Sequence, residues 1–363
     1  MVYAFVGMPC QIEGLRKLQY VLEEEWAKDI ELTIGLFCRE NWVFSCFRAL
    51  IEDDFGIDMK EIEKFDIKKG KIVIKRKGGE ITKIPLKASK PYVRINCKVC
   101  FDFAAELADI SVGSVDSPNG WSTVIVRTEK GMKILKEAEK EGYIEVKLLD
   151  NPKLTIKLST EKKEEALKES LLRKEYGFEI KHFKTYDLSF EEIKSQASGK
   201  NFDNLVEEVI DAGACTSCGT CSAACDKGIL VIQYARPELE GECPKDCNLC
   251  YLACPRVALP KREIENNIFF NATKDEGFGK YIDIFSVRAT DEEILKKAQD
   301  GGAVTAILSY ALEKGIIDGV ISIKSDDWKP VPVISKNREE LLNTAGTIYS
   351  SSTPLPLLKK VKK

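Results

Sequence analysis

Eight of the chain's thirteen cysteines fall between positions 215 and 254. Cys215, Cys218, Cys221 and Cys225 follow C-x2-C-x2-C-x3-C spacing; Cys243, Cys247, Cys250 and Cys254 follow C-x3-C-x2-C-x3-C spacing, with Pro255 next. Thiolates three residues apart can be aimed by one turn of backbone at a single inorganic centre. Such runs are the ligand pattern of two-cluster ferredoxins, in which the fourth cysteine of each run serves the other cluster. On that logic Cys254 completes the first site and Cys225 the second. A pair of zinc sites is the rival reading, and the tight three-cysteine runs ending in Cys-Pro favour iron–sulfur. Two departures stand out: Asp226 follows Cys225 where the ferredoxin run would close on proline, and the link RPELEGECPKDC is long. Clusters of this type pass single electrons, so the chain is expected to belong to redox chemistry.

Five cysteines lie elsewhere. Cys97 and Cys100 form a C-x2-C pair in RINCKVCFDF. Cys10 and Cys38 each follow a strand-like run, VYAFVG and ELTIGLF. Strand ends on one edge of a parallel sheet bring distant residues together, so Cys10, Cys38, Cys97 and Cys100 are candidates for a third 4Fe–4S cluster. The alternative is a zinc or redox pair at Cys97 and Cys100 plus two buried cysteines. Cys46, in VFSCFRAL, is expected on a helix and buried.

The one histidine, His182, narrows the chemistry. A Ser–His–Asp hydrolase, a Cys–His protease or a His-ligated zinc enzyme would all rest on it. In EIKHFKTYD it has no acidic or cysteine partner nearby in sequence and is expected on the surface or in a loop. The formal net charge of −3 implies no bulk attraction to nucleic acid or membrane. No apolar run approaches the ~20 residues that span a bilayer. The opening MVYAFVGMPCQ lacks a signal peptide's basic start and cleavage site, so a cytoplasmic location is expected. Thiols there stay reduced, which again favours metal ligation over disulfides.

The elements that must position these residues alternate. Residues 1–50 read as strand–helix–strand–helix, and 66–86 as a β-hairpin or meander whose basic residues form a solvated face or, less simply, a dock for an acidic substrate tail. Two strands flank a Gly/Ser/Asn/Pro loop in 108–128. A helix, the strand YIEVKLL and a charged helix at 158–176 follow, then a linker near 195–201. After Pro255 come polar residues, a helix at 291–299, and the run QDGGAVTAILSYALEKGIIDGVISI as glycine turn, helix, turn and buried strand. This predicts an α/β fold with α+β elements: a mainly parallel sheet with an inserted two-cluster ferredoxin-like module. The expected divisions are 1–197, 198–262 and 263–363.

The motifs FVGMPCQIEGLRKLQ, IGLFCRENW, VRINCKVCFDFAAELADISVGSVDSPNGWSTVIVRT, QDGGAVTAILSYALEKGIIDGVIS and TAGTIYSSS, with the two cysteine runs, resemble the beta-subunit family of coenzyme F420-reducing hydrogenase and formate dehydrogenase. Their order differs from the family's, which runs from the cluster module through GGAVTA and AGTIYS to GMPCQ. Either the chain is circularly permuted, and one chain builds one site, or halves of two gene copies are joined and each half needs a partner, as in a homo-oligomer.

The resemblance implies FAD, reduced coenzyme F420 as substrate, and a partner redox subunit of hydrogenase, formate dehydrogenase or similar type. No G-x-G-x-x-G opens a helix, so flavin binding needs another route. Gly301 and Gly302, before a helix, are candidates for a phosphate site, with Thr305 adding a hydroxyl. Gly346, Tyr349 and Ser350 are candidates for the isoalloxazine or ribityl part, and Gly7 and Gln11 for the same crevice. Ser111, Gly113, Ser114, Asn119, Gly120 and Trp121 would shape the deazaflavin side. Ordinary turns account for the same glycines, and core packing for Trp121. The implied function is that of an oxidoreductase subunit, moving electrons between F420 and a partner. The alternative is a non-catalytic electron-transfer subunit, or an incomplete fragment without a working flavin site.

Overall fold

The computed structural model describes residues 1–361. The strands are β1 (Tyr3–Gly7), β2 (Ile30–Leu36), β3 (Ile62–Lys68), β4 (Lys71–Arg76), β5 (Ile81–Pro85), β6 (Ile110–Gly113), β7 (Ser122–Val126), β8 (Ile144–Leu148), β9 (Leu230–Gln233), β10 (Arg236–Leu239), β11 (Asp283–Ala289), β12 (Gly319–Asp326) and β13 (Lys329–Ser335). The helices are α1 (Pro9–Tyr20), α2 (Glu25–Lys28), α3 (Phe44–Ala49), α4 (Glu129–Lys140), α5 (Lys153–Glu175), α6 (Phe190–Gln196), α7 (Phe202–Leu205), α8 (Thr220–Ala224), α9 (Leu249–Ala253), α10 (Lys261–Ile268), α11 (Glu292–Lys297), α12 (Ala303–Glu313), α13 (Arg338–Leu342) and α14 (Leu358–Val361). No helix among the described residues is long and apolar enough to cross a membrane.

Every residue of YAFVG is buried, as a strand covered on both faces requires. Successive side chains alternate faces. Ala4 and Val6 join Leu32, Ile34 and Val320 in a core covered by α4 and α12. Tyr3 and Phe5 join Ile30 and Ile321 in a second core covered by α1, α8 and α10. Burying each such aliphatic side chain contributes ~1.5–3 kcal/mol.

The main sheet has eight strands in the order β13-β12-β1-β2-β6-β7-β11-β8. Its centre, β12-β1-β2-β6, is parallel, and the outer four pairings are antiparallel. The sheet is therefore mixed rather than mainly parallel. Short connections explain the β12–β13 and β6–β7 pairings, because tight turns join only antiparallel strands. Asp327 and Trp328, both with positive φ, fold β12 directly onto β13, the geometry of a type I′ hairpin. A loop over 114–121 returns β7 along β6.

A separate antiparallel sheet, β3-β4-β5, packs Phe65 and Ile74 against Trp42, Phe47 and Ile51. The cysteine-rich region holds the β9–β10 hairpin and two short helices, α8 and α9, packed on each other. Its form fits a ferredoxin-like insert. Strand β11 and helix α10 occupy the stretch after Pro255 where the sequence suggests only polar residues.

Candidate redox site

Cys10 sits in the first turn of α1, just past β1, and Cys38 just past β2. Cys97 and Cys100 lie in and beside a 3-10 turn over Ile95–Val99. That turn is held at the end of β2: Arg94 N donates to Asn41 O at 3.0 Å, and Cys38 N to Phe103 O at 2.9 Å. Burial pushes the Cys10 thiol well up, Arg256 opposes it, and Cys100, Cys218 and Cys38 reinforce it. Burial likewise pushes Cys38 up to about 12, opposed by Lys162 and reinforced by Cys97 and Cys100. Cys10 thus feels Cys38 and Cys100, and Cys38 feels Cys97 and Cys100, near the carboxyl edge of the parallel strands. Lys162 reaches in from α5 and donates to the carbonyls of Cys38 and Asp102.

The ferredoxin-like module brings its cysteines together across the two runs. Burial raises the Cys221 thiol, and Cys218, Cys215, Cys254 and Cys250 add to it. Cys254 is raised to about 12 by burial, with Cys218 and Cys215 beside it. Cys243 is raised by burial and by Cys247 and Cys225; Cys250, raised to about 12 by burial, neighbours Cys243, Cys247 and Cys254. Cys254 is thus influenced by Cys215 and Cys218 of the first run, and Cys225 influences Cys243 of the second, as the crossed ferredoxin pattern would require. The two foursomes meet at Cys250 and Cys254, and the first meets the strand-end foursome at Cys218 and Cys10. Among the described residues no three Cys, His, Asp or Glu converge tightly enough to hold a single metal ion. Cys46 lies on α3 and is half-buried, not buried.

His182 corrects the sequence expectation. It is fully buried in a short 3-10 helix, with Nε2 2.6 Å from Arg256 Nη1. Burial first, then Arg256, drives its pKa well down, so the ring is neutral and accepts the guanidinium N–H. A partner 74 positions away is invisible to local sequence.

The residues expected around a flavin gather at the same carboxyl edge but differ in what they offer. Gly302 caps α12 in the left-handed region, at φ 70°, with no side-chain cap and no acidic residue in the first turn. The first amides of α12 therefore lack side-chain caps. Gly346, at φ 103°, lies against Lys297 O, which brings AGTIYS to the loop before α12. Ser350 Oγ and Gln299 Nε2 are buried without hydrogen-bond partners, and Thr305 is buried. Tyr349 packs edge-on to Trp42, and Ser351 N donates to Trp42 O at 2.7 Å. The open start of α12 and the unpartnered Ser350 Oγ and Gln299 Nε2 could hold the phosphate and ribityl end of a dinucleotide cofactor.

Other candidates have structural duties. Ser111 Oγ accepts from Arg127 Nε at 2.8 Å and donates to Ala105 O at 3.2 Å in a fully buried position, so it has no face for a ligand. A Cβ on Gly7 would meet the Phe5 ring at 2.5 Å, and one on Gly113 the Phe37 ring at 2.0 Å. Gln11 uses its amide to accept from Met8 N and donate to Ser352 O. A Cβ on Gly301 would lie 2.5 Å from Ser122 N and 2.8 Å from Trp121 Cα. That close approach carries the start of α12 to the 114–121 loop. There Ser114 and Asn119 are exposed, Gly120 O accepts from Arg288, and Lys147 lies 4.1 Å from the Trp121 ring centroid.

Sequence patterns alone do not single out Lys147, Arg288, Gln299 or Lys64, whose Nζ donates to Ala298 O at 3.2 Å. Lys147 lies on the strand YIEVKLL that the sequence marks, and Arg288 on β11, whose alternation over 285–289 would have marked it. A groove of about 700 Å³ also runs beside Cys97, lined by Arg39, Lys90, Lys162, Leu171 and Leu172 among others. None of the residues expected around the flavin lines it.

Two family models match the chain, both for the "Coenzyme F420 hydrogenase/dehydrogenase, beta subunit". Residues 1–152 match the model of its C terminus, and residues 284–359 match the model of its N-terminal part. The chain belongs to this beta-subunit family, with the C-terminal part first and the N-terminal part last. It is similar to the coenzyme F420 hydrogenase subunit beta of Methanococcus voltae, 40% identical over 48% of this chain and 64% of the relative. The corresponding protein of Methanothermobacter thermautotrophicus is 43% identical over 47% of this chain and 63% of the relative. A chain in the F420-reducing [NiFe] hydrogenase complex of Methanosarcina barkeri is 36% identical over 47% of this chain and 61% of its own, with a TM-score of 0.45. The chain thus spans less than two thirds of the length of these relatives. The eight cysteines of 215–254 lie outside both matched stretches, while Cys10, Cys38, Cys97 and Cys100 lie inside the first.

Proposed function

We propose that this chain is an oxidoreductase subunit that moves electrons between reduced coenzyme F420 and a redox partner, using FAD and three 4Fe–4S clusters. The observation that carries this reading is the linked series of three cysteine foursomes, one at the carboxyl edge where the segments around Gly302 and Ser350 also lie. Bound FAD would supply the step between a two-electron hydride donor and clusters that take one electron each. The α12 amides at Gly302 and Ala303 would hold its phosphates, and Ser350 and Gln299 would satisfy polar atoms of its chain. Gly301 keeps Trp121 close to that helix start. Lys147 and Arg288 would hold an acidic part of the deazaflavin substrate over the 114–121 loop. Hydride transfer requires two rings held at short range rather than a side-chain acid, in keeping with a chain whose one histidine is buried and neutral. Residues 1–197 and 263–363 would build the flavin unit, 198–262 the cluster module, and a hydrogenase- or formate dehydrogenase-type subunit would take the electrons.

The test is anaerobic mixing of cluster- and FAD-loaded protein with reduced F420 and a viologen dye. Dye reduction that matches F420 oxidation is the expected result. A flavin-free electron-transfer subunit is the second reading, favoured by the packing duties of Gly7, Gly113 and Ser111. Absence of flavin in the denatured supernatant of fully loaded protein would decide for it.

A further inference from the structure

Arg256, two positions after Cys254, has no part in the reading above, yet it is only 3% exposed. Its Nη2 lies 3.5 Å from Cys100 Sγ and 3.4 Å from Glu13 Oε2, its Nη1 lies 2.6 Å from His182 Nε2, and its Nε has no hydrogen-bond partner. Glu13 stands three residues after Cys10 on α1 and is also buried. One guanidinium therefore reaches from the first ferredoxin-like foursome to a thiol of the strand-end foursome, with the buried Glu13 carboxyl 3.4 Å away.

We propose that Arg256 and Glu13 are positioning residues that set the reduction potential of the strand-end cluster, with opposite signs. This rests on reading Cys10, Cys38, Cys97 and Cys100 as a 4Fe–4S site. Reduction adds one electron to the cluster, supplied by its redox neighbour. A cluster's potential follows net charge, hydrogen bonds to its sulfurs and solvent exposure. Arg256 supplies a fixed positive charge and an N–H aimed at a ligand sulfur, both of which favour the reduced state. The Glu13 carboxylate, ionised above the pKa of about 7 to which burial raises it against Arg256, opposes it. Both act where water does not screen them. Neutral His182 accepts one N–H and holds the fork toward Cys100, and Lys162, donating to the Cys38 carbonyl, adds a second positive charge.

The experiment is a potentiometric EPR titration of the reconstituted full chain, with the strand-end signal assigned as the one lost in Cys38→Ser. Arg256→Met is expected to shift that cluster's one-electron equilibrium at least tenfold toward the oxidised form, ~59 mV lower. Glu13→Gln is expected to shift it the other way. Unchanged potentials, or shifts of the same sign, with all three clusters present overturn the proposal. If Arg256→Met loses iron, the sign of the Glu13→Gln shift decides. Iron for only two clusters in the unsubstituted chain overturns the three-cluster reading and this inference with it.

Discussion

Cys254 and Cys225 belong to one run each in sequence but neighbour the other run in space. If Cys254 serves the cluster of Cys215, Cys218 and Cys221, then Cys254→Ser and Cys215→Ser damage the same cluster. Each alone should remove about four irons, and the double variant no more than either. Cys225→Ser combined with Cys215→Ser should remove about eight. Additive loss for the first pair would place Cys254 elsewhere. The grouping of these cysteines was legible because their spacing is written in the chain itself. Burial of His182, and the reach of Arg256 to Cys100 and Glu13, were not, since each depends on partners more than seventy residues away. Ser111, a candidate for the deazaflavin side, instead uses its hydroxyl to accept from Arg127 sixteen positions away, a pairing that only the folded sheet makes.

At the scale of elements, Asp109 ties three together. Its carboxylate accepts from Thr33 N at 2.8 Å and Thr33 Oγ1 at 2.6 Å on β2, from Arg16 at 3.3 Å on α1, and from Thr128 at 2.9 Å, the N-cap of α4. Burial works against the charge, but Arg16 and the Thr33 bonds win, so its pKa lies below the usual aspartate value. A depressed carboxyl pKa gives stability that is full above the unfolded value of ~3.9 and is lost as pH falls through the folded one. Asp109→Asn should cost ~3–5 kcal/mol, because it leaves Arg16 buried without its partner. It should also flatten the loss of stability below pH ~4. Denaturant melts of the metal-free protein across pH measure both, and a loss within ~0.5 kcal/mol would refute the role.

Gly301→Ala presses a methyl to 2.4 Å from Val287 O and should cost ~1–3 kcal/mol. It should lower bound flavin while leaving iron unchanged; equal flavin would mean that the start of α12 does not hold the cofactor. The central strands and α12 were legible from continuous apolar runs and a glycine turn. The Asp327–Trp328 hairpin was not, because it lacks the glycine that marks such turns. Its strain is offset by Trp328 packing edge-on to Phe65, 4.6 Å between centroids. Strand β11 alternates Ile284, Ser286 and Arg288 with Phe285 and Val287, a strand pattern hidden among polar flanks.

At the scale of the molecule, the part matching the family's C terminus and the part matching its N terminus complete one sheet. Tyr3 on β1 pairs with Gly319 on β12, and Val2 exchanges hydrogen bonds with Asp318. The far end of the chain comes back to the same place: α14 packs on α2, and Asp29, which ends α2, accepts from Tyr3 N. The reversed order of motifs was legible in sequence. That both parts share one sheet within one chain was not, since strand pairing is tertiary.

The measurement that tests the central claim most directly is the count of iron, sulfide and FAD per chain after anaerobic reconstitution. About twelve irons and one FAD are expected from three 4Fe–4S sites and a flavin site built by a single chain. About eight irons and no flavin would leave a ferredoxin-like module on a sheet with neither the third cluster nor the flavin, and would contradict the oxidoreductase reading.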